Sequence, residues 1–150
     1  MTFVARFTNL GTRLPAGKYF TRLHREIYRR TNGRLMGTFF GAPVLLLEVV
    51  GRRSGLVRET PMIYLLRDDT PVVLASNAGA ARVPSWWLNL RAAGTAWIRL
   101  RGQRYQVRIR ELAGEERGRT WQAFREMYPA IDDYAGFTTR ELPLVALERI

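Results

Sequence analysis

The sequence predicts an α+β fold: about six mostly antiparallel strands in meander order, curling into a small barrel, with three flanking helices. Three observations carry this reading. Residues 95–101 and 103–111 alternate cleanly, with Ala96, Ile98, Leu100, Tyr105, Val107 and Ile109 on one face and Arg99, Arg101, Arg104, Arg108 and Arg110 on the other. Residues 44–76 hold three β-type apolar runs separated only by short turns. The stretches of helical period lie outside these runs.

The elements follow in order. Residues 1–17 carry Gly11, Pro15 and Gly17 without a sustained period and read as a loose N-terminal arm. Residues 18–31 place Tyr19, Phe20, Leu23, Ile27 and Tyr28 at helical spacing among Arg22, Arg25, Arg29 and Arg30, and Asn32-Gly33 ends that helix. Strands over 44–50 and 57–66 flank Gly51-Arg52-Arg53-Ser54-Gly55, Asp68-Asp69 makes the next turn, and a strand over 72–76 follows. Pro84 suits a first helical turn, so 85–92 form a short helix closed by Gly94. Gly102-Gln103 joins the two alternating strands. Glu115 and Glu116 open a helix whose Trp121, Phe124, Met127 and Tyr128 share a face until Pro129 stops it, and 142–147 form the last strand. No repeat or linker divides residues 1–150, which read as one domain.

A chain of 150 residues can hold a core without staples. With no cysteine, it has neither a disulfide framework nor a thiolate nucleophile or cysteine metal site. Its longest apolar run, 42–47, is far too short to span a bilayer, and the start lacks a signal-peptide core, so a soluble or peripheral cytoplasmic protein is expected. The net charge of +11, from 24 basic and 13 acidic residues, calls for an anionic partner. All the basic residues but Lys18 are arginine, which favours planar recognition of phosphate or carboxylate. The helix 18–31 reads either as packed on the barrel with a solvated basic side or as touching an anionic membrane surface.

The protein's own catalytic groups are few. His24, the lone histidine, reads as a surface residue, so a Ser/His/Asp triad and a two-histidine metal site lack their parts, and no metal site is expected. The adjacent pairs Asp68-Asp69 and Asp132-Asp133 read as turn residues rather than catalytic carboxylates. The glycine turn at 51–55 lacks the Gly-Lys-Ser/Thr ending of a nucleoside-triphosphate loop, and no dinucleotide fingerprint is present. Its basic residues and backbone N–H groups nonetheless suit a phosphate. Hydride chemistry supplied by a bound cofactor needs only binding, orientation and exclusion of water.

Four separated motifs then carry a resemblance. They are Gly51-Arg52-Arg53-Ser54-Gly55 with Arg58 and Thr60-Pro61; Ala75-Ser76-Asn77-Ala78-Gly79; Pro84-Ser85-Trp86-Trp87-Leu88-Asn89-Leu90; and Met127-Tyr128-Pro129 with Asp133-Tyr134 and Arg140-Glu141-Leu142-Pro143. In this order and spacing the chain resembles the deazaflavin-dependent nitroreductase and quinone reductase family over roughly residues 20–150. The resemblance implies a split β-barrel related to flavin-mononucleotide-binding oxidoreductases, coenzyme F420 as hydride carrier, and quinones or nitroaromatic compounds as acceptors. It implies that Arg53, Ser54 and Gly55 hold the cofactor phosphate, with Arg58 adding charge, and that Pro61 and Met62 line the deazaflavin ring. Ala75, Ser76, Asn77 and Ala78 match one cofactor segment, Trp86 and Asn89 another. Ser76, Tyr128 and Tyr134 match positions facing the acceptor. Where the family usually reads Ser-Lys-Gly-Gly, this chain has Ser76-Asn77-Ala78-Gly79, without the cation, and Ile131 stands in place of a tyrosine.

Two other classes stand beside this one. The first is an F420 or FMN carrier on the same barrel without quinone or nitro turnover. The second is a basic nucleic-acid-binding barrel using the arginine face of 99–110, which ranks last because that face offers mainly Trp97 for stacking. Monomer and homodimer both remain open.

Overall fold

The computed structural model describes residues 3–4 and 15–150. Most of the expected N-terminal arm lies outside the described residues; its last three residues, from Pro15, are the first turn of helix α1 (Pro15–Thr31). The strands are β1 (Thr38–Phe39), β2 (Ala42–Val50), β3 (Val57–Arg67), β4 (Thr70–Leu74), β5 (Thr95–Leu100), β6 (Gln103–Glu111) and β7 (Leu144–Arg149). Helices α2 (Ser85–Ala93), α3 (Gly114–Met127) and α4 (Ala130–Gly136) complete the described elements, with a 3-10 turn at Asn77–Gly79.

Every strand pair is antiparallel, and the order β2-β3-β4-β7-β6-β5 closes on itself through β5 against β2. The result is a six-stranded barrel with β1 added beside β2. Closure leaves no long open edge, which is how small all-antiparallel sheets avoid pairing with other chains. Alternation sorts the side chains. Leu45, Leu47, Val49, Met62, Tyr64, Val73, Ile98, Val107, Val145 and Leu147 fill the interior, with Trp87 and Leu90 of α2 closing it. On the outside of β4 and β7, Val72, Leu74, Leu144 and Ala146 pack against Phe124, Tyr128, Ile131 and Tyr134 of the α3–α4 region.

Asp68 and Asp69 do make the β3–β4 turn, both with positive φ, as a two-residue hairpin requires. Asp132 and Asp133, expected in a turn, instead occupy the first turn of α4, where carboxylates complement the helix dipole. His24 is also a correction. It is buried at 5% exposure, and its Nε2 lies 2.8 Å from the Met36 carbonyl. Its position four residues before buried Tyr28 puts it on the inward stripe of α1, so burial followed from helical period and the carbonyl meets its polar need.

Four of the five arginines read onto the face of β5 and β6 are engaged within the protein, whereas Arg101 lies in the turn between the two strands with a left-handed backbone. Glu48 on β2 is buried beneath Arg99 and Arg104, whose nearest nitrogens lie 2.5 and 2.8 Å from its carboxylate. Burial alone would raise the Glu48 pKa, but the hydrogen bonds from Arg104 and Arg99 outweigh it and hold the carboxyl below its ordinary value. Arg104 also covers Trp97 at 4.1 Å from the ring centre, and Arg108 and Arg110 pair with Glu148. A face committed in this way is poorly suited to stacking and neutralising nucleic acid.

Candidate functional site

The antiparallel meander fixes where the motif residues meet. The end of β2 and start of β3, the end of β4, the start of β5 and the start of β7 all lie at one end of the barrel. That end therefore collects the turn 51–56, the loop 75–80, helix α2 and the segment 140–143.

The turn is closed by Gly51 N–H donating to Leu56 O at 2.8 Å and Gly55 N–H donating to Gly51 O at 2.8 Å. Gly55 has φ +68°, the left-handed region that glycine enters without a Cβ penalty. Asn89, buried on α2, holds the turn from behind: its Oδ1 accepts from Arg52 N–H at 3.2 Å and from Arg52 Nη1 at 2.8 Å. Arg52 is thereby fastened to the fold. Arg53 is exposed and makes no ion pair among the described residues, and Arg58 makes only a 3.4 Å contact from Nη2 to Ser54 Oγ. Two unneutralised guanidinium groups beside a glycine turn are what an incoming phosphate or carboxylate needs.

Pro61 and Met62 follow on β3, where successive side chains point to opposite faces. Met62 is buried in the barrel interior with Tyr64, while Ile63 packs on the outside, so Pro61 faces outward. Trp86 is half-buried and meets the ring of buried Trp87 edge-on, centres 6.1 Å apart.

The loop after β4 is built differently. Ser76 is right-handed helical (φ −85°, ψ −34°), and Asn77, Ala78 and Gly79 all have positive φ, at 48°, 51° and 76°. Ser76 Oγ accepts from Ala78 N–H at 3.3 Å, and Asn77 Nδ2 donates to Arg82 O at 3.0 Å. A Cβ on Gly79 would lie 2.6 Å from the Tyr134 carbonyl, so this loop fits against α4 only because that position is glycine. Arg140 clamps the loop from the other side. Its Nε donates to Ala80 O at 3.1 Å, Nη1 to Ala75 O at 3.0 Å, and Nη2 to Ser76 O at 2.5 Å. Burial lowers the pKa of this arginine, which carries no carboxylate partner among the described residues.

Tyr128 and Tyr134 come together in the same cluster, their hydroxyls 3.0 Å apart and both side chains buried. Burial first, then the bond to Tyr134, pushes the Tyr128 hydroxyl well above its ordinary pKa. It is thus a neutral donor rather than a base at physiological pH. Ile131 is fully buried beside them, a core residue in this chain.

The structure thus gathers Arg53, Ser54, Gly55, Arg58, Ala75, Ser76, Asn77, Ala78 and Trp86 around one end, with the tyrosine pair packed beneath the loop. Arg52 and Arg140 were not assigned a role by sequence reasoning. Arg140 sits in a quoted motif, but no local pattern shows that it reaches back some 60 residues. The residues present fit a phosphate-bearing planar carrier: free guanidinium groups at the turn, backbone N–H groups at the loop, and aromatic and aliphatic walls between. Among the described residues no group of three or more His, Asp or Glu could hold a metal ion. A separate cleft of about 420 Å³, between Asp68, Arg101, Tyr105 and Arg149, lies at the opposite end of the barrel and touches none of these residues.

Comparison with known proteins agrees with this architecture. An F420H(2)-dependent quinone reductase of Mycobacterium tuberculosis is 33% identical over 137 residues, 89% of this chain and 92% of the relative. The solved structure of an F420-H2 dependent reductase, FDR-A, superposes with a TM-score of 0.65 at 30% identity, covering 71% of this chain and 94% of that one. Another, described as a domain-swapped dimer, gives 0.66 at 27% identity over 82% and 98%. The model of the F420H(2)-dependent quinone reductase family matches residues 20–149, and the chain belongs to that family.

Proposed function

We propose that the protein transfers a hydride from reduced coenzyme F420 to a quinone, with nitroaromatic compounds as a second acceptor class. The observation that carries this reading is the convergence, at one barrel end, of the uncommitted Arg53 and Arg58 with the loop 75–78 and the buried Tyr128–Tyr134 pair.

When bound, the carrier supplies the hydride from its ring carbon, and the protein supplies position, dryness and hydrogen bonds. Arg53, Ser54 and Gly55 hold its phosphate, and Arg58 adds charge beside it. Pro61 on the outer face of β3, Ala75 to Ala78, and Trp86 frame the ring, with Met62 backing them from the barrel interior. Asn89 acts through Arg52, keeping the turn in shape. On the acceptor side stand Ser76 and, beneath its loop, the buried Tyr128–Tyr134 pair. Their hydroxyls stabilise the oxygen on which charge develops, an interaction stronger in the transition state than in the ground state.

The competing reading is a carrier protein for F420 or FMN without turnover. Fluorescence titration with F420 and with FMN, followed by turnover with menadione, separates the readings. The proposal requires preference for F420 and multiple turnovers; binding of FMN alone, or F420 binding without turnover, removes it.

Peripheral membrane contact is part of the proposal, although no helix among the described residues is long and apolar enough to cross a membrane. Helix α1 leaves Arg22 and Leu23 exposed, and an anionic surface would attract its basic side. Cosedimentation with anionic vesicles at low and high salt tests it, and full recovery in the supernatant at both salts rejects it. The likeness to a domain-swapped dimer makes a homodimer the assembly to look for by sedimentation.

A further inference from the structure

We propose that Arg140 charges the loop 75–80 from behind, making the Ser76 and Asn77 N–H groups an anion-accepting nest for the electron-rich carbonyl edge of the carrier's ring. The inference rests on the reading that this loop meets the carrier, and it adds the source of its charge.

The geometry begins with two residues. Ser76 is right-handed and Asn77 left-handed (φ −85° and +48°), the pairing that turns successive backbone N–H groups toward one concave side. Neither N–H has a hydrogen-bond partner among the described residues, whereas the next one, on Ala78, is taken by Ser76 Oγ.

The carbonyls of Ala75 and Ser76 both accept from Arg140. In a planar trans peptide the N–H points opposite to the C=O, so the N–H groups of Ser76 and Asn77 are aimed away from the guanidinium. Each of these two peptide dipoles lies with its negative end on the cation and its positive end at the nest. Arg140 itself makes no ion pair among the described residues, so its charge is spent on carbonyls alone. Asn77 is tied to Arg82 O, and the cation stands behind the loop rather than on it. Arg140 is accordingly a positioning residue that acts through two peptide groups.

The test uses the full chain without cofactor and sodium formate as the probe, read at individual amides by ¹⁵N–¹H spectra. Formate should shift the Ser76 and Asn77 amides saturably. Arg140→Gln keeps a hydrogen-bond donor but no charge and should weaken that response about tenfold, while Arg140→Lys restores much of it. A purely structural arginine would show no such ranking by charge. No formate response at these amides in the parent protein overturns the inference, as does equal response in the Gln and parent proteins. If Arg140→Gln fails to fold, Arg140→Lys decides: near-parent affinity supports the charge role, and loss of the response overturns it. A second arm titrates oxidised and reduced F420, and Arg140→Gln should lose the reduced form more. If the parent binds no F420 while the formate response stands, the assigned function fails and the nest does not.

Discussion

The β2–β3 turn and the loop after β4 sit at the same end of the barrel, yet the turn shows its charge to solvent while the loop ties its carbonyls to a cation of the protein. Arg53 and Arg58 are exposed and almost unpartnered among the described residues, and the turn is fixed through its backbone and through Arg52 on Asn89. In the loop, Arg140 spends its donors on three loop carbonyls, and Gly79 presses against the Tyr134 carbonyl. The two segments divide the labour. Groups left exposed can capture an anion from solution, and groups already ordered can meet an acceptor without further loss of conformational freedom.

The sharpest way to break the comparison is a matched pair of glycine substitutions. Gly79→Ala combines a strained left-handed backbone with a Cβ 2.6 Å from a carbonyl oxygen, and should cost roughly 2–5 kcal/mol in a denaturant melt. Gly55→Ala shares the positive φ but meets nothing within 4 Å, and should cost about 1–2 kcal/mol. Equal costs would deny that the loop is held more tightly than the turn.

Next in size is Arg53→Ala, which should lose about 1.5–3 kcal/mol of F420 affinity, ten- to a hundredfold, with an unchanged melting temperature. Undiminished affinity removes the turn from the cofactor site. Smaller still is a pH effect on the buried side. The folded-state pKa of Tyr128 is raised, so its contribution to stability is complete below the unfolded value of about 10 and declines as pH rises above it. Tyr128→Phe should flatten that alkaline decline while costing about 0.5–1.5 kcal/mol at neutral pH. A decline unchanged in the variant would place its origin elsewhere.

The same contrast explains what the sequence revealed. The turn was legible because its chemistry is local: five consecutive residues between two apolar runs. The barrel was legible because alternation over β5 and β6 and the short turns leave little choice of topology. Strand β1 and helix α4 were missed, with two and seven residues, because neither is long enough to establish a period. Arg140 was unreadable as a clamp because its bonds to Ala75, Ser76 and Ala80 depend on β4 and β7 pairing, a long-range event. His24 was readable, since its spacing to Tyr28 placed it on the inward stripe, but the Met36 carbonyl that accommodates it lies beyond the helix.

The most direct test of the division of labour is stopped-flow oxidation of bound reduced F420 by menadione, at carrier concentrations that saturate each protein. Arg53→Ala, once saturated, should react at the parent rate, while Tyr128→Phe and Tyr134→Phe should be slowed by about tenfold or more. Parent-like rates in both tyrosine variants, or a slowed Arg53→Ala at saturation, would contradict that division.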